Sequence, residues 1–87
     1  MYYDKELEVR ASALKHGVAA EDSLIAAKHP LLIMELDDLS SGRELRLGFD
    51  AHGRLLELLI ATTIEGRKYL IHAMKARKIY VDLLTKG

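Results

Sequence analysis

The run 54-RLLELLIATTI-64 constrains the chain more than any other, because almost every position in it is apolar and neither face is left for water. Such a segment reads as a central strand covered on both sides, so layers of structure are expected above and below it. The segments on either side read as its partners. In 43-RELRLGF-49, Leu45, Leu47 and Phe49 alternate with Glu44, Arg46 and Gly48, the period-2 pattern of a strand with one covered face. The turn 50-DAHG-53 links these two strands. A turn at Glu65 and Gly66 leads to 67-RKYLIHAM-74, where strict alternation puts Tyr69, Ile71 and Ala73 on one face and Lys68, Leu70, His72 and Met74 on the other. The apolar run from Leu31 to Leu36, followed by the loop 37-DDLSSG-42, completes four strands. The last three are joined by short glycine turns, which favours an antiparallel meander.

Helical patterns flank this region. In 7-LEVRASALKHG-17, Val9, Ala13 and Leu14 form an apolar stripe, Lys15 and His16 fall in the last turn, and Gly17 stands as a C-cap. The segment 20-AEDSLIAAKH-29 has Glu21 and Asp22 near its start, Lys28 and His29 near its end, and Pro30 as its stop. From Lys75 to Thr85, Ala76, Ile79, Tyr80, Leu83 and Leu84 recur at helical spacing. The expected architecture is α+β: two N-terminal helices, a four-stranded mainly antiparallel sheet and a C-terminal helix, in one domain over residues 1 to 87. A chain of 87 residues buries a single thin core.

Composition excludes several classes of function. With no cysteine, thiolate catalysis, disulfide exchange and cysteine-based zinc sites drop out. The histidines at 16, 29, 52 and 72 have no HxH or HxxxH spacing, so no metal is expected, and no glycine pattern suggests a nucleotide cofactor. The start MYYDKELE is polar and acidic, and no run has the length of a membrane span, which points to the cytoplasm and away from a membrane. Formal net charge is zero, but the halves differ. Residues 1 to 42 carry four basic and eight acidic side chains, and residues 43 to 87 carry nine and five. The second half could attract a polyanion through local contacts, or it could be ordinary uneven surface charge.

The chemistry-bearing cluster is 70-LIHAMKARKIY-80. A strand end that delivers groups beside a helix N-terminus can bind phosphate, because first-turn amides and a forked guanidinium aim donors at one anion. RNA cleavage by 2'-hydroxyl attack needs a proton acceptor, an acid for the leaving 5'-oxygen, and cations for the phosphorane charge. His72 is the candidate acid or base, because imidazole is the side chain that titrates near neutrality. Arg77 and Arg46 are the candidate charge stabilisers. Lys15, Arg54, Lys75, Lys78 and Tyr80 are candidate RNA contacts. Each also has a structural reading: a strand histidine, arginines on a solvated sheet face, and a tyrosine in an apolar helical stripe. His16 reads as a C-terminal capping cation or as part of the groove edge, and His29 and His52 as surface residues.

The KHGV segment, the acidic second helix, RELRLGFD, the Gly-Arg that leads the third strand, and IHAMKAR together resemble the BrnT-like toxins of type II toxin-antitoxin systems. The resemblance spans about residues 7 to 85 and rests on the order and spacing of short pieces. It implies a small fold related to the RelE toxins, a cytoplasmic metal-independent endoribonuclease, and a cognate antitoxin that neutralises it. It supports Lys15, Arg46, Arg54 and Arg77 as site positions. Two readings remain open beside the ribonuclease: a non-catalytic interaction module of the same fold that forms a homodimer or a heteromeric complex, and a compact domain with another role.

Overall fold

The computed structural model describes residues 7–36 and 42–86. The elements run β1 (Leu7–Val9), a single 3-10 turn (Ala11–Leu14), α1 (Ala20–Lys28), β2 (Pro30–Glu35), β3 (Arg43–Phe49), β4 (Leu55–Thr62), β5 (Lys68–Lys75) and α2 (Lys78–Thr85). The five strands form one mixed sheet in the order β1-β5-β4-β3-β2. β2 to β5 are the expected antiparallel meander, and β1 joins β5 in parallel.

The expected pair of N-terminal helices and the four-stranded antiparallel sheet are therefore corrected to one N-terminal helix and a five-stranded mixed sheet. Leu7 and Val9 both contribute to the core. They stand two residues apart, a spacing that only extended chain puts on one face. The ladder continues as the Arg10 amide donates to the Leu70 carbonyl at 2.9 Å. The Ser12 hydroxyl donates to the Ile71 carbonyl at 2.8 Å. Only the turn Ala11–Leu14 is helical, and it closes at Gly17 with a φ of 80°, the left-handed conformation glycine adopts without penalty. At the other end β5 continues through Lys75, so α2 begins at Lys78 rather than at Lys75. Of the loop expected at 37 to 42, residues 37 to 41 lie outside the described residues, as do Tyr2 and Tyr3.

β4 is central, but of the layers expected above and below it only α1 packs on the strand, on one face, and α2 does not form the second layer. Leu56, Leu58 and Ile60 face α1 and join Leu24, Ala26, Ala27, Leu70 and Ala73 in the core. α1 carries Glu21 and Asp22 in its first turn and Lys28 in its last, which suits the helix dipole. It lies against β3 and β4. The approach is close because Gly48 has no side chain: a Cβ there would collide with the Ala26 carbonyl. On the other face Leu45 and Leu47 of β3 are also buried, and so is Glu57 of β4. α2 has no fully buried residue. No helix among the described residues is long and apolar enough to cross a membrane.

β5 holds the feature that shapes the site. Leu59 pairs with His72 and Ile60 with Leu70, so Ile71 is an extra residue in the strand. Such a bulge resets the side-chain alternation. Tyr69, paired with Ala61, therefore shares the face of His72 and Met74, while Lys68 and Leu70 are on the α1 side. The strict alternation expected across residues 67 to 74 is corrected accordingly.

Candidate functional site

An acidic side chain in the middle of an apolar strand must find partners or neutralise. Glu57 is 1% exposed and finds three donor groups. The Arg77 guanidinium binds it as a fork, Nε to Oε1 at 3.0 Å and Nη2 to Oε2 at 2.7 Å. The Arg77 backbone amide also donates to Oε1, at 3.0 Å. His72 Nε2 lies 3.0 Å from Oε2. Burial on its own pushes the Glu57 carboxyl up, but the hydrogen bonds from Arg77 and His72 and the Arg77 charge outweigh it and hold the group below the ordinary glutamate range. Its hydrogen bonds and charge in turn raise the Arg77 guanidinium above its ordinary value. Glu57 is thus an anion that ties β4 to β5 and to the start of α2, where Arg77 is the N-cap residue.

The tie orients groups that reach solvent. Nε and Nη2 of Arg77 bind Glu57, which leaves Nη1 directed elsewhere on a side chain that is 58% exposed. Glu57 engages Nε2 of His72 and leaves Nδ1 for another partner. The ring of His16, an exposed residue, meets that of His72 edge-on, with centroids 5.3 Å apart and planes at 72°. The Arg77 guanidinium stands 5.5 Å from the centre of the Tyr80 ring. Two imidazoles, a guanidinium and a phenol beside a fixed carboxylate form a set able to move protons and hold an anion.

The sequence-predicted residues divide between this place and others. His72, Arg77 and Tyr80 come together, and Lys15 is exposed next to His16 in the chain. Arg46 does not join them. Paired with Leu58, it is on the α1 face, where it binds Glu44 and donates through Nη1 to the Ala27 carbonyl at 2.7 Å. Arg54 is held by Asp50 at 2.7 Å and reaches Asp22 of α1 at 3.3 Å. Lys75, paired with Leu56, also falls on the α1 face. Lys78 is exposed and bonds Asp82 at 3.0 Å. The convergence of Arg46 with His72 and Arg77 expected for a ribonuclease groove is therefore absent. Glu57 and His16 replace Arg46 in the cluster. Glu57 had a sequence signal: it is the one charged residue inside β4.

Among the described residues no group of three or more histidine, aspartate or glutamate side chains is arranged to hold a metal ion. The chain matches no family model, no curated protein and no solved structure.

Proposed function

We propose that the protein is a metal-independent endoribonuclease, the toxin of a type II toxin-antitoxin pair, and that it acts in the cytoplasm and is silenced by a cognate antitoxin. The observation that carries this reading is that the buried Glu57 holds both His72 and Arg77, with the His16 ring against that of His72. In the reaction His72, oriented by Glu57, takes the proton from the RNA 2'-hydroxyl as its oxygen attacks the adjacent phosphorus. His16 gives a proton to the 5'-oxygen as the P–O5' bond breaks. The products are a 2',3'-cyclic phosphate and a 5'-hydroxyl end. Arg77 offers Nη1 to the phosphorane oxygens, and Tyr80 borders the guanidinium.

The test is regulated expression in bacteria with growth followed and new RNA 5' ends mapped. The wild-type chain should arrest growth and produce 5'-hydroxyl ends. His72→Gln, which keeps a side-chain donor for Glu57 but cannot relay a proton, should abolish both at equal protein level. Healthy cells with abundant folded protein and unchanged ends would overturn the reading.

A second reading, the non-catalytic interaction module, is favoured by one observation. β2 is an edge strand on which Leu31, Ile33 and Met34 are exposed. The Leu36 amide donates to the Arg43 carbonyl, so by alternation Ile33 and Glu35 turn their amides and carbonyls to the open edge. A second copy paired antiparallel about Ile33 would set Leu32 against Met34 and satisfy both edges at once. Light scattering after size-exclusion chromatography should then give twice the chain mass, and Ile33→Lys should halve it. A wild-type monomer at high concentration would exclude this arrangement.

A further inference from the structure

Beside the His16 and His72 pair, the same sheet face carries an aromatic and cationic group that the cleavage chemistry leaves unused. The extra residue Ile71 brings Tyr69 to the face of His72. The Arg10 guanidinium lies over the Tyr69 ring, 4.0 Å from its centre, and that of Arg67 stands 5.7 Å from it. Glu8, which pairs with Tyr69 in the ladder, approaches Arg10 at 3.8 Å and Arg67 at 3.7 Å. Those ion pairs join exposed side chains and contribute little to stability, so an incoming anion can share the guanidinium groups. Two cations face one carboxylate, which leaves the group net positive.

We infer that Tyr69, Arg10 and Arg67 form a subsite for a nucleotide of single-stranded RNA next to the one being cleaved. Tyr69 holds the Arg10 guanidinium over its ring, and a base stacks on that pair. Arg67 and the N–H groups at the edge of Arg10 hold the neighbouring phosphate. Along β5, Tyr69 and His72 are separated by roughly 7 to 10 Å, the reach between neighbouring nucleotides of an extended strand. The bulge at Ile71 therefore has a purpose: without it the aromatic platform and the imidazole would face opposite sides of the sheet.

This inference rests on the ribonuclease reading, and the experiment separates the two. Binding of a 2'-O-methyl RNA oligonucleotide, which cannot be cleaved, is followed by fluorescence anisotropy, and cleavage of the unmodified oligonucleotide gives kcat and KM. Tyr69→Leu, and Arg10→Gln with Arg67→Gln together, should each raise Kd and KM about 10-fold while kcat stays within about 3-fold. Tyr69→Phe should behave as wild type. The double arginine variant should also flatten the slope of log Kd against log salt by about 0.7, the value for one phosphate contact on a single strand. The arginine substitutions are at exposed side chains, so this arm stands even if Tyr69→Leu folds poorly. If the wild type cleaves and the variants keep its KM and salt slope, the subsite is wrong and the ribonuclease reading survives. If the wild type neither binds nor cleaves RNA, both fall.

Discussion

Two carboxylates among the described residues are almost completely buried, and they are put to different uses. Asp50 sits at the turn between β3 and β4. It accepts hydrogen bonds from the backbone amides of His52 at 2.8 Å and Arg54 at 2.9 Å, and from the Arg54 side chain at 2.7 Å. Every donor lies within four residues, so the aspartate closes its own turn, and Arg54 extends the knot to Asp22 of α1. Glu57 draws its donors from 15 and 20 residues away and joins β4, β5 and α2. A local knot shapes one hairpin. A distant one decides which side chains from separate elements meet, and here it holds an imidazole and a guanidinium at the surface.

The largest expected effect follows from that difference in reach. Glu57→Ala removes an acceptor of four hydrogen bonds, empties a buried site and frees the start of α2, and should lower unfolding free energy by about 4 kcal/mol. Asp50→Ala should cost about 3 kcal/mol, because its three bonds serve a single turn. Urea unfolding of both variants measures this. A smaller loss for Glu57 than for Asp50 would show that the long-range tie is less important to the fold than the turn.

Acid should weaken both knots. For Asp50 as for Glu57, burial pushes the carboxyl up, and the hydrogen bonds and charge of its donors pull it further down, so each pKa is depressed in the folded chain. A depressed carboxylate stabilises the fold fully above the unfolded pKa, and the contribution disappears as pH falls through the folded value. The urea midpoint should therefore be flat near neutrality and drop in acid, below the ordinary carboxylate range. Glu57→Gln and Asp50→Asn should each flatten part of that drop. An unchanged acid limb in Glu57→Gln would mean that Glu57 is not the paired anion described.

How much of this was legible in the sequence depends on distance along the chain. The Asp50 turn could be read because aspartate, glycine and arginine stand together between two alternating strands, and β2 to β5 announced themselves by period and glycine. β1 could not be read as a strand, because three residues are too few to show a period and its partner lies about 60 positions on. The Ile71 bulge left no mark, so strict alternation put Tyr69 on the wrong face. Of the candidate site, His72 and Arg77 are marked by their chemistry. Glu57 stands in a run whose other positions are nearly all apolar, and the place of Arg46 depends on where α1 lies.

Arg46 supplies the smallest expected effect and the sharpest control on the comparison. It was a candidate charge stabiliser because it is an arginine on a strand beside β4, yet its side chain ends on the far side of the sheet from His72. There it binds Glu44 and the Ala27 carbonyl, in the last turn of α1, where a cation is favoured. Arg46→Met keeps most of the stem that packs there and removes both hydrogen bonds. It should cost about 1 kcal/mol in urea unfolding and leave RNA cleavage per folded molecule unchanged. His72→Gln should do the reverse, sparing stability and abolishing cleavage. If Arg46→Met lost cleavage while its fold stayed intact, the α1 face would have to share in the chemistry, and the division between an anchoring side and a working side of the sheet would fail.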